Sequence, residues 1–394
     1  MIHECEVGNQ VGHGVGVSSR RGGSLRDAWL SQAVKNHVPL SATLELTAHC
    51  NLSCIHCYVA DHGQPVLSGD AWVMLVEELA DLGCRSIGLT GGEVTLHPEW
   101  LRIAAAVRRR NVMLHIMTNG TRLSGDDLDE IARLHPIRVA VSLYSAEPEW
   151  HDRVTGVAGS FYRSVEAIKG LVERGIACRV NTVLLRGRAG EAVRLRHFAE
   201  AMGCAFACNP VLYPSLDGTR PTPVLQASRD DLMEFYSEML PFLPRELGAV
   251  ESNGASRRVM QNCGAGITSA YIDCSGEVYA CPGFGESFGN AAVLSFSEAW
   301  QSPRADSHRA EMRRSLRVCG DCAISSYCTM RCPKLALSET GSLLGANQMA
   351  CEIAGVLKDI GKRYRYHDRK ARLGEDSDGE RGLREARNHE RTRV

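Results

Sequence analysis

The chain has 394 residues, 44% of them hydrophobic and 23% charged, with a formal net charge of −1; that length supports a large core or one big domain with a smaller companion. Near-neutral charge supplies no global field that would draw nucleic acid or an anionic membrane surface, so neither is expected as a partner. No apolar run reaches the roughly 18 residues that cross a bilayer and the N-terminus lacks a secretory h-region, which places the chain in the cytoplasm, where its sixteen cysteines are expected to bind metal or clusters rather than pair as disulfides.

Residues 1–24 are rich in Gly and Ser without periodicity and read as flexible, and a short helix over 25–36 completes an N-terminal segment of 1–40. From 41 to 250, strand-like runs at 42–47, 86–90, 112–118, 137–143, 178–184 and 205–211 alternate with helical patterns at 70–82, 98–109, 124–134, 160–174 and 191–202. This alternation predicts βαβ units and an α/β fold, a partial (β/α)6 parallel barrel, because six units are too few to close eight strands. Right-handed crossovers then gather the loops that follow the strands at one rim. From 251 to 361 cysteines become dense and helical periodicity is weak until 348–360, which predicts a small cysteine-rich, loop-rich cluster domain held by inorganic staples. Residues 362–394 carry mixed charge with little apolar content and read as a disordered tail.

Cys50, Cys54 and Cys57 stand as CxxxCxxC directly after the first strand. A [4Fe–4S] cube takes four thiolates, one per iron. Three leave one iron open to a small molecule, by the logic that leaves a catalytic zinc one open position. A zinc site, or three unrelated buried thiols, are the other readings of this spacing. The second strand ends in Thr90-Gly91-Gly92-Glu93. Paired glycines admit a ligand close to the backbone, and a carboxylate accepts hydrogen bonds from an ammonium group. Further strands end in Thr118-Asn119-Gly120 and in Ser142-Leu143-Tyr144-Ser145.

Together these motifs resemble the radical S-adenosylmethionine (SAM) superfamily across residues 41–250. The resemblance implies that Cys50, Cys54 and Cys57 hold a [4Fe–4S] cluster whose open iron binds the amino and carboxylate groups of SAM. It implies that Gly91, Gly92 and Glu93 receive the SAM amino group and that Ser142 meets the ribose or carboxylate. Asn119, Asn181 and Arg153 lie where further SAM contacts fall, and His56 stands where the family places an aromatic ring near adenine.

The later cysteines run Cys263, Cys281, Cys319, Cys322, Cys328, Cys332 and Cys351, with Gly276 between the first two. These intervals resemble the SPASM extension of radical SAM enzymes, which implies two auxiliary [4Fe–4S] clusters. By that resemblance Cys319, Cys322, Cys328 and Cys351 ligate the outer one. Cys263, Cys281 and Cys332 hold the inner one, with Cys274 the candidate fourth ligand. A pair of zinc knuckles is the alternative for this spacing. Cys84, Cys178, Cys204 and Cys208 read as small core hydrophobes, with Cys204 and Cys208 on one face of a strand. Cys5 reads as incidental, and His97 and His115 as structural.

The implied chemistry is reductive cleavage of SAM to a 5′-deoxyadenosyl radical that abstracts hydrogen from a substrate, with auxiliary clusters suited to net oxidation. The expected substrate is a ribosomally made peptide that is crosslinked or oxidised. The alternatives are dehydrogenation or epimerisation of a small molecule, such as an amino sugar or a cofactor precursor, and a non-catalytic zinc or iron–sulfur scaffold. Pro282 stands where sulfatase maturases carry an Asp after the cysteine, which counts against that activity. The segment before the first motif is shorter than a fused leader-peptide-binding domain, so a separate recognition protein is expected, together with a flavodoxin- or ferredoxin-type reductant.

Overall fold

Runs apolar enough to be buried on both faces form parallel strands rather than half-wet ones. They are β1 (Ser41–Glu45), β2 (Ser86–Thr90), β3 (Met113–Thr118), β4 (Arg138–Ser142), β5 (Cys178–Val183) and β6 (Ala205–Asn209). Each pairs in parallel with the next, and all five residues of β2 are buried. The structure, a computed structural model, describes residues 25–59, 63–213, 222–239, 263–315, 319, 322–328 and 331–373. The boundary expected near residue 250, the segment 1–24 and the end of the tail lie outside those residues.

The helices in chain order are α1 (Leu25–Lys35), α2 (Gly69–Asp81), α3 (Trp100–Arg109), α4 (Gly125–Leu134), α5 (Pro148–Thr155), α6 (Ser160–Glu173) and α7 (Ala189–Ala201). Their apolar stripes close on the sheet in one core that includes Trp72, Leu79, Ile103, Ile131 and Ile168. Burying each such side chain contributes about 1.5–3 kcal/mol. Exposed ion pairs such as Arg174–Asp129 are worth about 1 kcal/mol at most, so the core and not the charge pattern holds this layer together. Caps place the helix starts: Ser124 and Asp127 form a reciprocal capping box at α4.

The C-terminal part does not stand apart. Strand β7 (Ser269–Ile272) pairs in parallel with β1, and β8 (Glu277–Tyr279) and β9 (Gly289–Asn290) follow it antiparallel. Among the described residues the result is one nine-stranded sheet, ordered β6-β5-β4-β3-β2-β1-β7-β8-β9, that stays open with β6 and β9 at its edges. Phe284, Phe288, Phe296 and Trp300 continue the same core. Beyond β6 come α8 (Thr222–Leu225) and α9 (Arg229–Met239), and after β9 come α10 (Phe296–Trp300), α11 (Pro303–Ser315), α12 (Pro333–Thr340) and α13 (Gln348–Leu373). Ile353, Val356, Leu357 and Ile360 of α13 pack on Leu232, Phe235 and Tyr236 of α9, fastening α13 to the β6 side of the barrel.

Two expectations need correction. The C-terminal region holds more helix than its weak periodicity predicts. In α11 the buried positions are Ala305, Arg309, Met312 and Ser315; an arginine occupies a core slot, and its guanidinium is satisfied by Gly266 O at 2.8 Å and Trp300 O at 2.7 Å. Helix α13 also runs on through Leu373, so the stretch expected to be disordered from residue 362 begins as helix. No helix among the described residues is long and apolar enough to cross a membrane.

Candidate SAM and cluster site

The loops after the parallel strands meet at one rim and enclose a cavity with about 1170 Å³ of empty space, its mouth included. Cys50, Cys54 and Cys57 line it from the loop after β1. That loop is tied down on both sides. Gly92 N donates to Thr47 O at 2.7 Å and Glu93 N to His49 O at 2.8 Å, while Ser53 N and Ile55 N donate to Thr155 O (2.8 Å) and Val154 O (2.9 Å) at the end of α5. Cys57 N donates to Cys54 O at 3.0 Å, and Leu52 N donates to Cys50 Sγ at 3.4 Å. The three thiols feel one another. Burial, with Cys57 and Cys50 beside it, pushes Cys54 up to about 12, and burial raises Cys50 as well. A pocket that disfavours the bare thiolates of Cys50 and Cys54 fits a soft cationic group that would neutralise them. Among the described residues no three His, Cys, Asp or Glu side chains are placed to hold one metal ion; a cube, with one thiolate per iron, asks for a wider spread.

Gly91, Gly92, Asn119, Ser142, Asn181 and His56 line the same cavity. Neither glycine tolerates a side chain, since a Cβ at Gly92 would lie 2.3 Å from Ala48 O and one at Gly91 2.7 Å from Thr47 O. Asn119 is held through Asn51, to whose Oδ1 it donates at 3.0 Å. Arg179, buried and lowered to about 10 by that burial, donates to Asn181 Oδ1 at 2.9 Å. The His56 ring meets Tyr144 edge-on at 4.6 Å.

Two of the residues named for SAM do not line the cavity. Glu93 is buried behind the wall and does not line the cavity. Its carboxylate accepts from Thr118 Oγ1 and Asn119 N, both at 2.6 Å, and from Thr95 Oγ1 at 2.9 Å. It therefore clamps the ends of β2 and β3 together, and burial raises its pKa against the pull of those donors. Arg153 sits exposed in the last turn of α5, off the cavity.

Several residues of the site are not evident from the motifs. Tyr144, Tyr58, Cys208, Asn209 and Tyr213 line the cavity, and His151 supports it from behind. Nδ1 of His151 accepts from Tyr144 N at 3.1 Å and its ring stacks on Tyr144 at 5.7 Å. Burial lowers the His151 pKa to about 4 from 6.5. As pH falls from about 6.5 to about 4, the unfolded chain takes up a proton that the folded chain refuses, so His151 costs about 3 kcal/mol of stability across that window. Thermal midpoints measured from pH 6.5 to 4 are expected to fall more steeply for the wild type than for His151→Gln. Parallel curves would show that the imidazole does not titrate against the fold.

The later cysteines separate into two groups. Cys263 lies near Cys332, and Lys334 lies near both Cys281 and Cys332. Cys351 lies at the surface near Cys319 and Cys322, which with burial raise its pKa. Cys328 closes the turn Ser325–Tyr327 at the edge of the α13 cluster. Cys274, by contrast, is buried with Ala48, Tyr58 and Val59, against Cys57. Cys204 falls one residue before β6 instead of sharing its face with Cys208, and its thiol hydrogen-bonds that of Cys178 on β5. His97 is structural, bridging Leu67 O (3.2 Å) and Glu99 N (3.2 Å).

The chain carries a radical SAM superfamily domain over residues 44–199 and an iron–sulfur cluster-binding SPASM domain over 263–323, and is homologous to peptide-modifying radical SAM maturases. These domains imply a [4Fe–4S] cluster with SAM and auxiliary iron–sulfur clusters. Among the relatives, the antilisterial bacteriocin subtilosin biosynthesis protein AlbA of Bacillus subtilis is 28% identical over 74% of this chain, and the match spans 66% of that protein. The mycofactocin maturase MftC of Mycobacterium tuberculosis is 28% identical over 75% of this chain and 78% of its own length. The fold matches Streptococcus suis SuiB bound to its precursor peptide SuiA with a TM-score of 0.62 at 17% identity, covering 83% of this chain and 80% of that one.

Proposed function

We propose that this chain is a radical SAM peptide maturase in which Cys50, Cys54 and Cys57 hold the SAM-binding cluster. Gly91, Gly92, Asn119, Ser142, Asn181 and His56 form the SAM cradle, and Glu93 shapes it from behind. The carrying observation is that three thiols on one loop and polar groups from the ends of four further strands line a single cavity. When bound, the cluster and SAM supply a 5′-deoxyadenosyl radical able to take hydrogen from an unactivated carbon. The chain's own contribution is to fix Cys50 through the Leu52 amide, to hold the glycine seam tight and to keep water out with Leu52, Val59, Val183 and Leu212. Cys319, Cys322, Cys328 and Cys351 are assigned to an outer auxiliary cluster, and Cys263, Cys281 and Cys332 to an inner one. Cys274 packs with Tyr58, a residue near both Cys57 and Cys281, and stays the candidate fourth ligand of the inner set.

The peptide substrate is supported by relatives named for bacteriocin and mycofactocin maturation. Crosslinking or oxidation of a ribosomally made peptide, a flavodoxin- or ferredoxin-type reductant and a separate leader-peptide-binding protein complete the reading. Anaerobically purified protein is expected to carry about twelve irons, four for each of three cubes. Under a strong reductant with SAM it is expected to release 5′-deoxyadenosine, and a precursor peptide is expected to emerge lighter by two hydrogens. Stoichiometric zinc in place of iron, or no release with clusters intact, overturns the reading.

A further inference from the structure

One phenol joins the cavity to the inner thiol group. Tyr213, shortly after β6, lines the cavity, and its hydroxyl donates to Cys332 Sγ at 3.8 Å. Nζ of Lys334 lies 4.9 Å from the Tyr213 ring centroid and 5.9 Å from that of Tyr58, and it donates to Pro282 O beside Cys281. Two cavity-lining tyrosines thus face an ammonium group that also lies near the thiols of Cys281 and Cys332.

A donor on a ligand sulfur matters for redox poise. Reduction puts more negative charge on the thiolate sulfurs, so an O–H···S bond strengthens in the reduced form and raises the potential of whatever those thiolates hold. Such outer contacts also orient the ligand that they touch.

We propose that Tyr213 is a positioning residue for the inner auxiliary cluster, its hydroxyl fixing Cys332 and raising that cluster's reduction potential at the wall shared with the substrate cavity. The proposal rests on reading Cys263, Cys281 and Cys332 as cluster ligands. Phenylalanine at 213 keeps the ring beneath Lys334 and removes only the donor. Replacing Tyr213 by 3,5-difluorotyrosine, with the titration run in mildly acidic buffer so that the more acidic phenol stays protonated, keeps the hydroxyl and makes it a stronger donor.

The test is a redox titration of reconstituted holoenzyme followed by electron paramagnetic resonance, with iron and sulfide counted in each sample. The Cys332→Ala variant identifies the inner signal by its loss. Tyr213→Phe is expected to keep its iron and shift the inner midpoint to more negative potential, leaving the SAM-binding cluster where it was. The difluorotyrosine protein is expected to shift the inner midpoint the other way. An unmoved inner midpoint in both variants, or shifts of the same sign, overturns the role of Tyr213 while leaving the cluster assignment intact. A wild-type protein with no signal that depends on Cys332 overturns the assignment, and the proposal with it.

Discussion

Cys54→Ala is expected to release no detectable 5′-deoxyadenosine from SAM, while iron falls only from about twelve to about eight atoms per chain. The side chain is half-buried beside the other two thiols of its loop, so alanine leaves two thiolates where three are needed. The loop itself does not depend on that side chain. Cys57 N bonds the backbone carbonyl of residue 54, and the neighbouring amides of Ser53 and Ile55 are anchored on α5. Stability without cofactors is therefore expected to change by about 1 kcal/mol or less. The later cysteines flank the β7–β8 hairpin and lie around α12 and α13, whose apolar contacts do not involve Cys54, so their iron is expected to survive. The measurement pairs iron and sulfide counts with chromatography of the SAM reaction. Release at even a few per cent of the wild-type rate, or iron lost from all sites together, would break the assignment of Cys54 as one ligand of one separate cluster.

The strands and the cavity rim were legible because local signals agreed there. The run Ser86–Thr90 is apolar, ends in a glycine pair and is buried at every position, so its strand could be placed to the residue. Since parallel strands all point to one rim, residues that end them could be expected to meet, and Asn119, Ser142 and Asn181 do. What sequence hid was settled over long range. The side chain of Glu93 follows a glycine pair that faces the cavity, yet Thr118 and Asn119, some two dozen positions on, take up its oxygens. Arg153 ends α5, a single short helix opened by Pro148 and too brief to show a face in sequence. The β1–β7 pairing joins positions 41–44 to 269–272, and no local pattern carries that information. Tyr213 and Cys332 stand 119 positions apart in the chain, and only the fold brings Lys334 to both.

Gly92→Ala is expected to disrupt the site without touching a single thiol. An added Cβ would lie 2.3 Å from Ala48 O, 2.4 Å from His49 O and 2.7 Å from His49 C, all backbone atoms. No rotamer relieves such a contact; the loop after β2 must separate from the loop after β1. Separation lengthens the bonds from Gly92 N to Thr47 O and from Glu93 N to His49 O, and it moves Cys50, the residue next to His49. Overpacking of this kind costs about 3 kcal/mol, and SAM affinity is expected to fall at least tenfold as the first ligand shifts, which corresponds to about 1.4 kcal/mol. Gly125→Ala is the matched control. It stands at the first position of α4 with nothing within 4 Å of an added Cβ, so its stability is expected to stay within about 0.5 kcal/mol of the wild type. Denaturant unfolding of both variants, with SAM binding to the reconstituted proteins, separates the two cases. A Gly92→Ala protein that unfolds and binds SAM as the wild type does would mean that the two loops part freely, and that the glycine seam is not what holds Cys50 at the cavity.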